Sequence, residues 1–338
     1  MKKINFFLVL FLILFVFSGC SPKKINPCNT SNKIADKIYN DYKNKIVCFK
    51  TIDSYDLDYL NSKDLIIFGH LTYPKIKKET YNAIILSHGS GGIRRYHEKY
   101  VNLLNDNGYV VFQIDHYTAR NIKYDKTFSK VSGITFMNDS FKALKLLKTN
   151  PAINKIAYIG WSQGGVGPIL SHFKPITAAV NNDEDIFDAS IAIYPYCGFT
   201  FPDNTPTHTP LLMITGNADE LTPERACRNL FSKFFKNKNK IFHTSLPNAH
   251  HGFDNPFLYF GFTFEKLPSL NIINKNCTLT ISNAGKIITL NNEEVTTPKA
   301  SEKFLHRCSA KGVTVKYNAQ ATKKSQNIIL NFLSRIFK

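Results

Sequence analysis

Residues 155–170 read KIAYIGWSQGGVGPIL, and this stretch decides the fold. An apolar strand at 155–159 leads into the pentapeptide GWSQG at 160–164, and an apolar helical segment through Ile169 and Leu170 follows. Glycines on both sides of Ser162 permit the tight strand-to-helix turn that lifts a serine hydroxyl above a sheet. The G-x-S-x-G pattern is common by chance, but between a strand and a helix it predicts a nucleophilic serine on an α/β sheet.

The surrounding sequence favours a parallel sheet covered by helices. Short apolar segments alternate with helical segments from 64 to 253, and continuous apolar runs are typical of strands buried on both faces. Apolar residues at helical spacing from Ile134 to Leu147 predict a helix that ends at Asn150-Pro151, and 329–336 predicts a last amphipathic helix. The predicted strands are 65–68, 83–87, 109–114, 155–159, 189–194, 211–215 and 240–245.

Residues 270–315 interrupt this alternation. Two strand-like segments, 278–281 and 286–290, flank Asn283-Ala284-Gly285 in the manner of a β-hairpin. We therefore predict one domain, 46–338, that carries 270–315 as an insertion before the last helix.

The candidate acid lies on the loop after the strand 211–215. A serine hydroxyl is a poor nucleophile at neutral pH and needs a base that a third group holds in place. Where the serine lies on a G-x-S-x-G turn, the acid and then the histidine follow it along the chain, each after a later strand. Asp219 occupies such a position, just before Thr222-Pro223, which can start the next helix. Other acidic residues that could serve instead are Glu220, Asp185 and Asp188.

The candidate base follows the strand 240–245, which leads to His250 and His251. The order of serine, acid and histidine is satisfied by either residue. The sequence therefore predicts a Ser-His-Asp triad with one of these two histidines as the base.

A glycine-rich turn, SHGSGG at 87–92, supplies the remaining part of an acyl-transfer site. Such a site needs hydrogen-bond donors for the oxyanion of the tetrahedral intermediate. The candidate donors are the backbone amides of Ser90 and Gln163. We expect His88 to shape the turn rather than to react.

Three arginines are further candidates for substrate binding. Arg94, Arg95 and Arg120 each lie in a loop after a strand, at the edge where ligands bind in such sheets. Each could hold a substrate carboxylate, although structural ion pairs are the commoner use of arginine.

With these motifs in place, the sequence resembles the dienelactone hydrolase family of α/β-hydrolases. The similarity covers roughly 64–253 and returns near Tyr317. It implies the α/β-hydrolase fold, with a mostly parallel central sheet flanked by helices, and it selects His251 as the base because that histidine precedes the small residue and Phe of the family motif. The residues that carry it are 87–92, 111–115 with Arg120, 160–165, Tyr194-Pro195, Gly216 with Asp219 and Pro223, and 251–253.

Two departures from the family affect the expected substrate. Enzymes that open dienelactones have a cysteine nucleophile where this chain has Ser162, and a glutamate where it has Gly89. Dienelactone is therefore not the expected substrate. The resemblance implies a hydrolase of small carboxylic esters or lactones that forms an acyl-enzyme intermediate and needs no cofactor. The alternatives are an acyltransferase or peptidase with the same triad, and a non-catalytic envelope protein that binds ligands on a hydrolase scaffold.

The N-terminus has the pattern of an export signal. Lys2 and Lys3 precede an apolar run at 6–17 that is too short to span a membrane, and Ser18-Gly19-Cys20 resembles the lipobox of bacterial lipoproteins. We predict a signal peptide at 1–19, lipid on Cys20 and a tether over 20–45. The protein would then be a membrane-anchored lipoprotein of the bacterial cell envelope; the alternative is a secreted or periplasmic soluble protein.

Charge and cysteine content agree with an exported protein. The 43 basic and 25 acidic residues give a net charge of +18, but the basic residues are scattered and not interleaved with aromatics as in a nucleic-acid-binding face. We expect a membrane and no nucleic acid as partner. Apart from Cys20 there are six cysteines and no C-x-x-C spacing, which favours disulfides over metal. The predicted pairs are Cys197 with Cys227 and Cys277 with Cys308.

Overall fold

The computed structural model describes residues 26–29, 34–35, 45–60, 62–181, 185–203, 205–232, 240–263, 271–273, 278–282 and 284–338. The strands, in chain order, are β1 (Lys45–Asp53), β2 (Lys63–Thr72), β3 (Tyr81–Ser87), β4 (Val110–Asp115), β5 (Ile153–Trp161), β6 (Ala189–Ile193), β7 (Phe199–Thr200), β8 (Leu211–Gly216), β9 (Ile241–Leu246), β10 (Phe262–Thr263), β11 (Asn271–Ile273), β12 (Leu279–Ile281), β13 (Ile287–Thr289), β14 (Ser309–Lys311) and β15 (Thr314–Val315). The α-helices are α1 (Arg95–Asp106), α2 (Gly133–Lys148), α3 (Val166–Leu170), α4 (Lys174–Asn181), α5 (Glu224–Phe231), α6 (Pro298–Cys308) and α7 (Ala319–Ile336). Short 3₁₀ helices span Pro27–Asn29, Thr118–Arg120, Ser162–Gly165 and Pro256–Leu258.

The central sheet has eight strands within the described residues, in the order β1-β2-β4-β3-β5-β6-β8-β9. β2 is antiparallel to both β1 and β4, whereas every pairing from β4 to β9 is parallel. The predicted mostly parallel sheet is thus confirmed. Because the parallel strands share one direction, the loops that follow β5, β8 and β9 leave the same edge of the sheet.

Helices cover both faces of the sheet. Consecutive residues of β3, Ile84 and Ile85, are buried in two different apolar clusters, because successive strand side chains point to opposite faces. Ile85 shares its cluster with apolar residues of α2 and α3, and Ile84 shares its cluster with residues of α1 and α7. No helix among the described residues is long and apolar enough to cross a bilayer.

The insertion contains the predicted hairpin, an additional strand pairing and a helix. β12 pairs antiparallel with β13, as expected, and β12 also pairs in parallel with β7. Sequence analysis missed α6, which follows the hairpin. Its start carries a recognisable signal, because the Thr297 hydroxyl accepts a hydrogen bond from the Ala300 amide and Pro298 occupies the first helical position.

Two disulfides lie within the described residues. Cys197–Cys227 confirms the prediction, with 4.8 Å between the Cα atoms. Cys28–Cys48 fixes the N-terminal segment to β1 within the range predicted as a tether. Cys308 is also disulfide-bonded, but Cys277 lies outside the described residues, so their pairing stays a prediction. Cys20 and the predicted signal peptide lie outside them as well.

A buried ion cluster fixes α2 against the first strands of the sheet. Arg120 donates to both carboxylate oxygens of Asp139, at 2.9 and 3.1 Å, and to Asp53 at 2.6 Å. His116 Nδ1 and Thr51 Oγ1 also bond to Asp139, each at 2.7 Å. Burial disfavours the charged carboxylate, but the Arg120 charge and the His116 hydrogen bond outweigh burial and lower the pKa of Asp139 to about 2. Arg120 therefore has a structural role, because its guanidinium group pairs with the carboxylates of Asp53 and Asp139.

Replacing Asp139 by Asn should lower the free energy of unfolding by about 3 to 5 kcal/mol at neutral pH, because a buried ion pair loses one partner. Denaturant titration followed by the fluorescence of Trp161 measures this difference. An unfolded aspartate has a pKa of about 3.9, so the stabilisation is complete above about pH 4 and is lost as the pH falls toward 2. The difference in free energy of unfolding between wild type and variant should therefore decrease as the pH falls from about 4 toward 2.

The control is Asp185→Asn, since Asp185 pairs with the partly exposed Lys148. Such surface pairs contribute about 0 to 1 kcal/mol. Equal losses of unfolding free energy in Asp139→Asn and Asp185→Asn would contradict the prediction that the buried cluster stabilises the fold more than a surface ion pair does.

Candidate active site

The turn at Ser162 is sharp and left-handed. β5 ends at Trp161, Ser162 has a φ of 52°, and the chain continues through a 3₁₀ turn into α3. A Cβ atom on Gly160 would overlap the carbonyl oxygen of Gly164, and one on Gly164 would overlap that of His88. Both glycines of the motif are thus required by close backbone approach, as G-x-S-x-G turns demand.

Ser162, His251 and Asp219 form one continuous hydrogen-bonded chain. His251 Nε2 lies 2.9 Å from Ser162 Oγ, and His251 Nδ1 lies 2.8 Å from Asp219 Oδ2. Because an ionised carboxylate only accepts, Nδ1 carries the proton and the lone pair of Nε2 accepts from the serine hydroxyl. The exposed fractions are 7%, 8% and 5%, so the chain is nearly dry and opens at the serine end.

The Asp219 carboxylate is held by its own loop. Oδ1 accepts hydrogen bonds from the backbone amides of Leu221 and Thr222, both at 2.9 Å, and Oδ2 accepts from the Thr222 hydroxyl at 2.9 Å. These contacts fix the carboxylate that faces His251. The sequence suggested that Thr222 caps the next helix with Pro223 in its first turn, but α5 begins at Glu224 with Pro223 at the N-cap position and no side-chain cap. The Thr222 hydroxyl bonds to the Asp219 carboxylate instead.

The alternative acids and the second histidine lie elsewhere. Asp185 pairs with Lys148, Asp188 accepts from the Ile156 amide near the start of β5, and Glu220 is exposed. Within the described residues no hydrogen bond joins His250 to Ser162 or Asp219.

The glycine-rich loop lies directly against the serine. A Cβ atom on Gly89 would be 3.1 Å from the Cβ of Ser162. The Ser90 carbonyl accepts from the Asp125 amide at 2.7 Å. His88 Nδ1 donates to the Gly89 carbonyl oxygen at 2.8 Å, and its Nε2 accepts from the His116 backbone amide at 3.2 Å. Burial and the nearby His116 lower the pKa of His88 to about 3, so its ring is neutral and shapes the loop.

The side chain of Gln163 is occupied by structural hydrogen bonds. Its Oε1 accepts from the Tyr117 hydroxyl at 2.7 Å, and its Nε2 donates to Asp125 at 3.0 Å and to the Val131 carbonyl at 2.7 Å. The Gln163 side chain is therefore already occupied, and the role of its backbone amide as an oxyanion donor stays a prediction.

The three arginines do not line the space around Ser162. Arg120 is buried in the ion cluster, and Arg94 and Arg95 are exposed at the start of α1. The suggestion that one of them holds a substrate carboxylate thus finds no support at the serine. No group of three or more His, Cys, Asp or Glu residues in the described part of the chain is arranged to hold a metal ion.

A second Ser-His-Asp arrangement lies inside the protein. Ser87 Oγ is 2.8 Å from His116 Nε2, and His116 Nδ1 is 2.7 Å from Asp139. All three residues are fully buried, so no substrate reaches them. This cluster is a structural network and a useful internal contrast to the chain at Ser162.

Sequence analysis missed Asp254, a buried carboxylate beneath the site. It accepts hydrogen bonds from Trp161 Nε1 at 2.9 Å, from the Tyr100 hydroxyl at 2.8 Å and from the Tyr194 hydroxyl at 2.7 Å. Burial raises its pKa despite these three donors. The Tyr194 ring packs edge-on against His251, with 4.7 Å between centroids. Asp254 thus ties the histidine loop to the residue before Ser162, and its only sequence signal is an acid directly after 251–253.

An apolar cavity of about 90 Å³ opens beside Ser162. Its walls include Ser162 and Gln163 on one side and Leu279, Ile287 and Leu305 of the insertion on another. The insertion is therefore part of the site, a role that its sequence did not indicate.

Comparisons with known proteins identify the family and the fold. The model of the dienelactone hydrolase family matches residues 69–260. A dienelactone hydrolase-like promiscuous phosphotriesterase from metagenomic libraries is 15% identical with a TM-score of 0.53, over 86% of this chain and 98% of that one. Est1E from Butyrivibrio proteoclasticus is 18% identical (TM-score 0.41, 61% and 92% coverage), and an α/β serine hydrolase from Xanthomonas campestris is 17% identical (0.43, 60% and 86%). No curated protein matches the chain. The first structure supports the α/β-hydrolase fold.

Asp254→Asn should destabilise the protein by about 1 to 3 kcal/mol, because an amide cannot accept from all three buried donors. Trp161 is the only tryptophan, so its fluorescence reports directly on this contact during denaturant unfolding. Tyr100→Phe removes a single donor and should cost about 0.5 to 1.5 kcal/mol. A larger loss for Tyr100→Phe than for Asp254→Asn would show that the tyrosine, and not the carboxylate, organises the cluster.

Proposed function

Since the chain belongs to the dienelactone hydrolase family of α/β-hydrolases, we propose that it hydrolyses carboxylic esters with Ser162 as nucleophile, His251 as base and Asp219 as orienting acid. The observation that carries the proposal is the unbroken hydrogen-bonded chain from Asp219 through His251 to Ser162, which ends at a cavity. The buried Ser87 cluster has similar distances but no such access.

The proposed reaction has two halves. Ser162 Oγ attacks the ester carbonyl while His251 Nε2 takes its proton, and the negative oxygen of the tetrahedral intermediate accepts from the amides of Ser90 and Gln163. Collapse breaks the bond to the alcohol oxygen, which takes the proton from His251 and leaves an acyl-enzyme. Water then attacks the acyl carbon and gives its proton to His251. Collapse of this second tetrahedral intermediate breaks the bond to Ser162 Oγ, which takes that proton back from His251, and the acid is released.

The two departures from the dienelactone-opening enzymes support a simple ester as substrate. A serine needs the full base-and-acid chain described above, which this site supplies. A Cβ atom at position 89 would lie 3.1 Å from the Cβ of Ser162, closer than most such contacts, so glycine suits this position better than glutamate does.

We also propose export and lipidation at Cys20. Disulfides are typical of proteins outside the reducing cytosol, and two lie in the described residues. The charged, apolar and small-residue regions that precede Cys20 support cleavage there.

Ser162→Ala should reduce kcat/KM for p-nitrophenyl esters by at least about 10³-fold, since the nucleophile is lost while the fold is kept. His251→Ala should be nearly as damaging, and His250→Ala, the matched control, should stay within about tenfold of wild type. A fluorophosphonate probe followed by peptide mass mapping should modify Ser162 and leave Ser87 unmodified. Activity of Ser162→Ala within tenfold of wild type would refute the serine mechanism.

The mature protein should begin at a diacylated Cys20 and stay with membranes during a salt wash, because two acyl chains anchor a protein stably. Intact-mass measurement and fractionation test this. Cys20→Ser should give a soluble or unprocessed form with unchanged ester hydrolysis per folded molecule. An unmodified N-terminus at or beyond Cys20 in the wild type would replace anchoring by plain secretion.

A further inference from the structure

The cavity beside Ser162 differs in character from its surroundings. Its lining is mainly apolar, including Tyr55, Val131, Phe199 and Leu279, while the serine hydroxyl lies at its edge. Apolar walls beside a nucleophile favour an aliphatic part of the substrate, because removing such a chain from water is favourable in proportion to its buried area.

The position of the cavity indicates which half of an ester it receives. The departing alcohol takes a proton from His251, so it must lie against that ring. The cavity is lined by Ser162 and Gln163, and His251 is not among its lining residues. The acyl half therefore points into the cavity and the alcohol points away from it.

The volume limits the length of the acyl chain. An engineered apolar cavity of about 150 Å³ accommodates benzene, with six carbons. On that scale a cavity of about 90 Å³ accommodates roughly three or four carbon atoms.

Tyr55 and Val131 lie in the wall between this cavity and a second one. Both residues also line a second cavity of about 530 Å³, which is polar and includes Asp53, Asp56 and Lys130. The Tyr55 hydroxyl donates to the Ser129 carbonyl at 2.8 Å, which fixes the ring between the two spaces. A longer acyl chain would meet this ring, and beyond it the charged cavity.

We infer that the cavity is an acyl-binding pocket for short aliphatic acids of up to about four or five carbons, counting the carbonyl carbon at Ser162, with Tyr55 as the residue that sets the length limit. The inference rests on the proposed ester hydrolysis. It assigns to the insertion, through Leu279, Ile287 and Leu305, the task of closing the pocket.

The wild-type profile is the first test. kcat/KM is measured for p-nitrophenyl acetate, butanoate, hexanoate, octanoate and decanoate, and each value is divided by the alkaline hydrolysis rate of the same ester. We expect a rise of about fourfold for each methylene from acetate to butanoate, the equivalent of about 0.8 kcal/mol, and a fall of at least tenfold at hexanoate.

Variants at two lining residues then test which side chains limit the length of the acyl chain. Tyr55→Ala joins the two cavities and should raise the hexanoate-to-butanoate ratio at least tenfold, whereas Tyr55→Phe keeps the ring and should keep the wild-type optimum. Leu305→Ala, at a half-buried position of α6, should lengthen the preferred chain without touching Tyr55. Leu290→Ala is the matched control, because Leu290 belongs to the same insertion but is 65% exposed, and its profile should equal that of the wild type.

The outcomes separate the two proposals. A flat profile, or an optimum at octanoate or longer, with activity that still requires Ser162, overturns the acyl pocket and leaves ester hydrolysis standing. An unchanged ratio in both Tyr55→Ala and Leu305→Ala, with both proteins folded, also overturns it. Absence of hydrolysis of every ester together with absence of Ser162 labelling overturns the proposed function and the pocket with it.

Discussion

The left-handed backbone of Ser162 is the constraint on which the site depends. A non-glycine residue in this region costs of order 1 to 3 kcal/mol and persists only where its surroundings fix it. Here the surroundings are a strand in the middle of the sheet, a buried Trp161 that ends it, and two glycines in contact with neighbouring backbone. The same turn brings the serine hydroxyl toward His251 and places the Gln163 amide next to it, so one local conformation sets two functional groups.

The remaining groups reach the serine because the loops after β8 and β9 pack on each other. The amide of Ala218 donates to the Ala249 carbonyl at 3.2 Å, and Gly216 approaches that carbonyl too closely for any side chain. Asp254 connects the loop after β9 to the strand-to-helix turn at Ser162, here called the elbow, because it accepts a hydrogen bond from Trp161. Three buried carboxylates thus make different contacts: Asp219 bonds to His251, Asp254 joins loops, and Asp139 links α2 to β1.

The sequence predicted those parts that depend on local chemistry and strand order. The elbow needs glycines at fixed positions, and parallel strands deliver Asp219 and His251 to one edge, so both patterns are visible along the chain. β1, which pairs antiparallel with the next strand along the chain, was missed. The buried ion cluster that contains Arg120 was missed as well, because it joins residues from separate parts of the chain. The cavity beside Ser162 depends on packing between Tyr55, Phe199 and the hairpin. Tyr55 and Ile287 are 232 positions apart, and no spacing along the chain encodes their proximity. Cys197–Cys227 was predictable because both cysteines flank one strand.

With lipid on Cys20, as proposed, the disulfide between Cys28 and Cys48 also limits the distance between the folded domain and the membrane. On a lipidated Cys20, the eight peptide units from Cys20 to Cys28 span at most roughly 29 Å at about 3.6 Å each, close to the thickness of a bilayer core. The attachment is at β1, the edge of the sheet opposite β9 and its histidine loop. The folded domain would then stay within this distance of the lipid. If this disulfide were reduced, the first contact of the chain with the sheet would be the bridge between Ile34 and Cys48. The maximum distance between the lipid and the folded domain would then rise to roughly 50 Å.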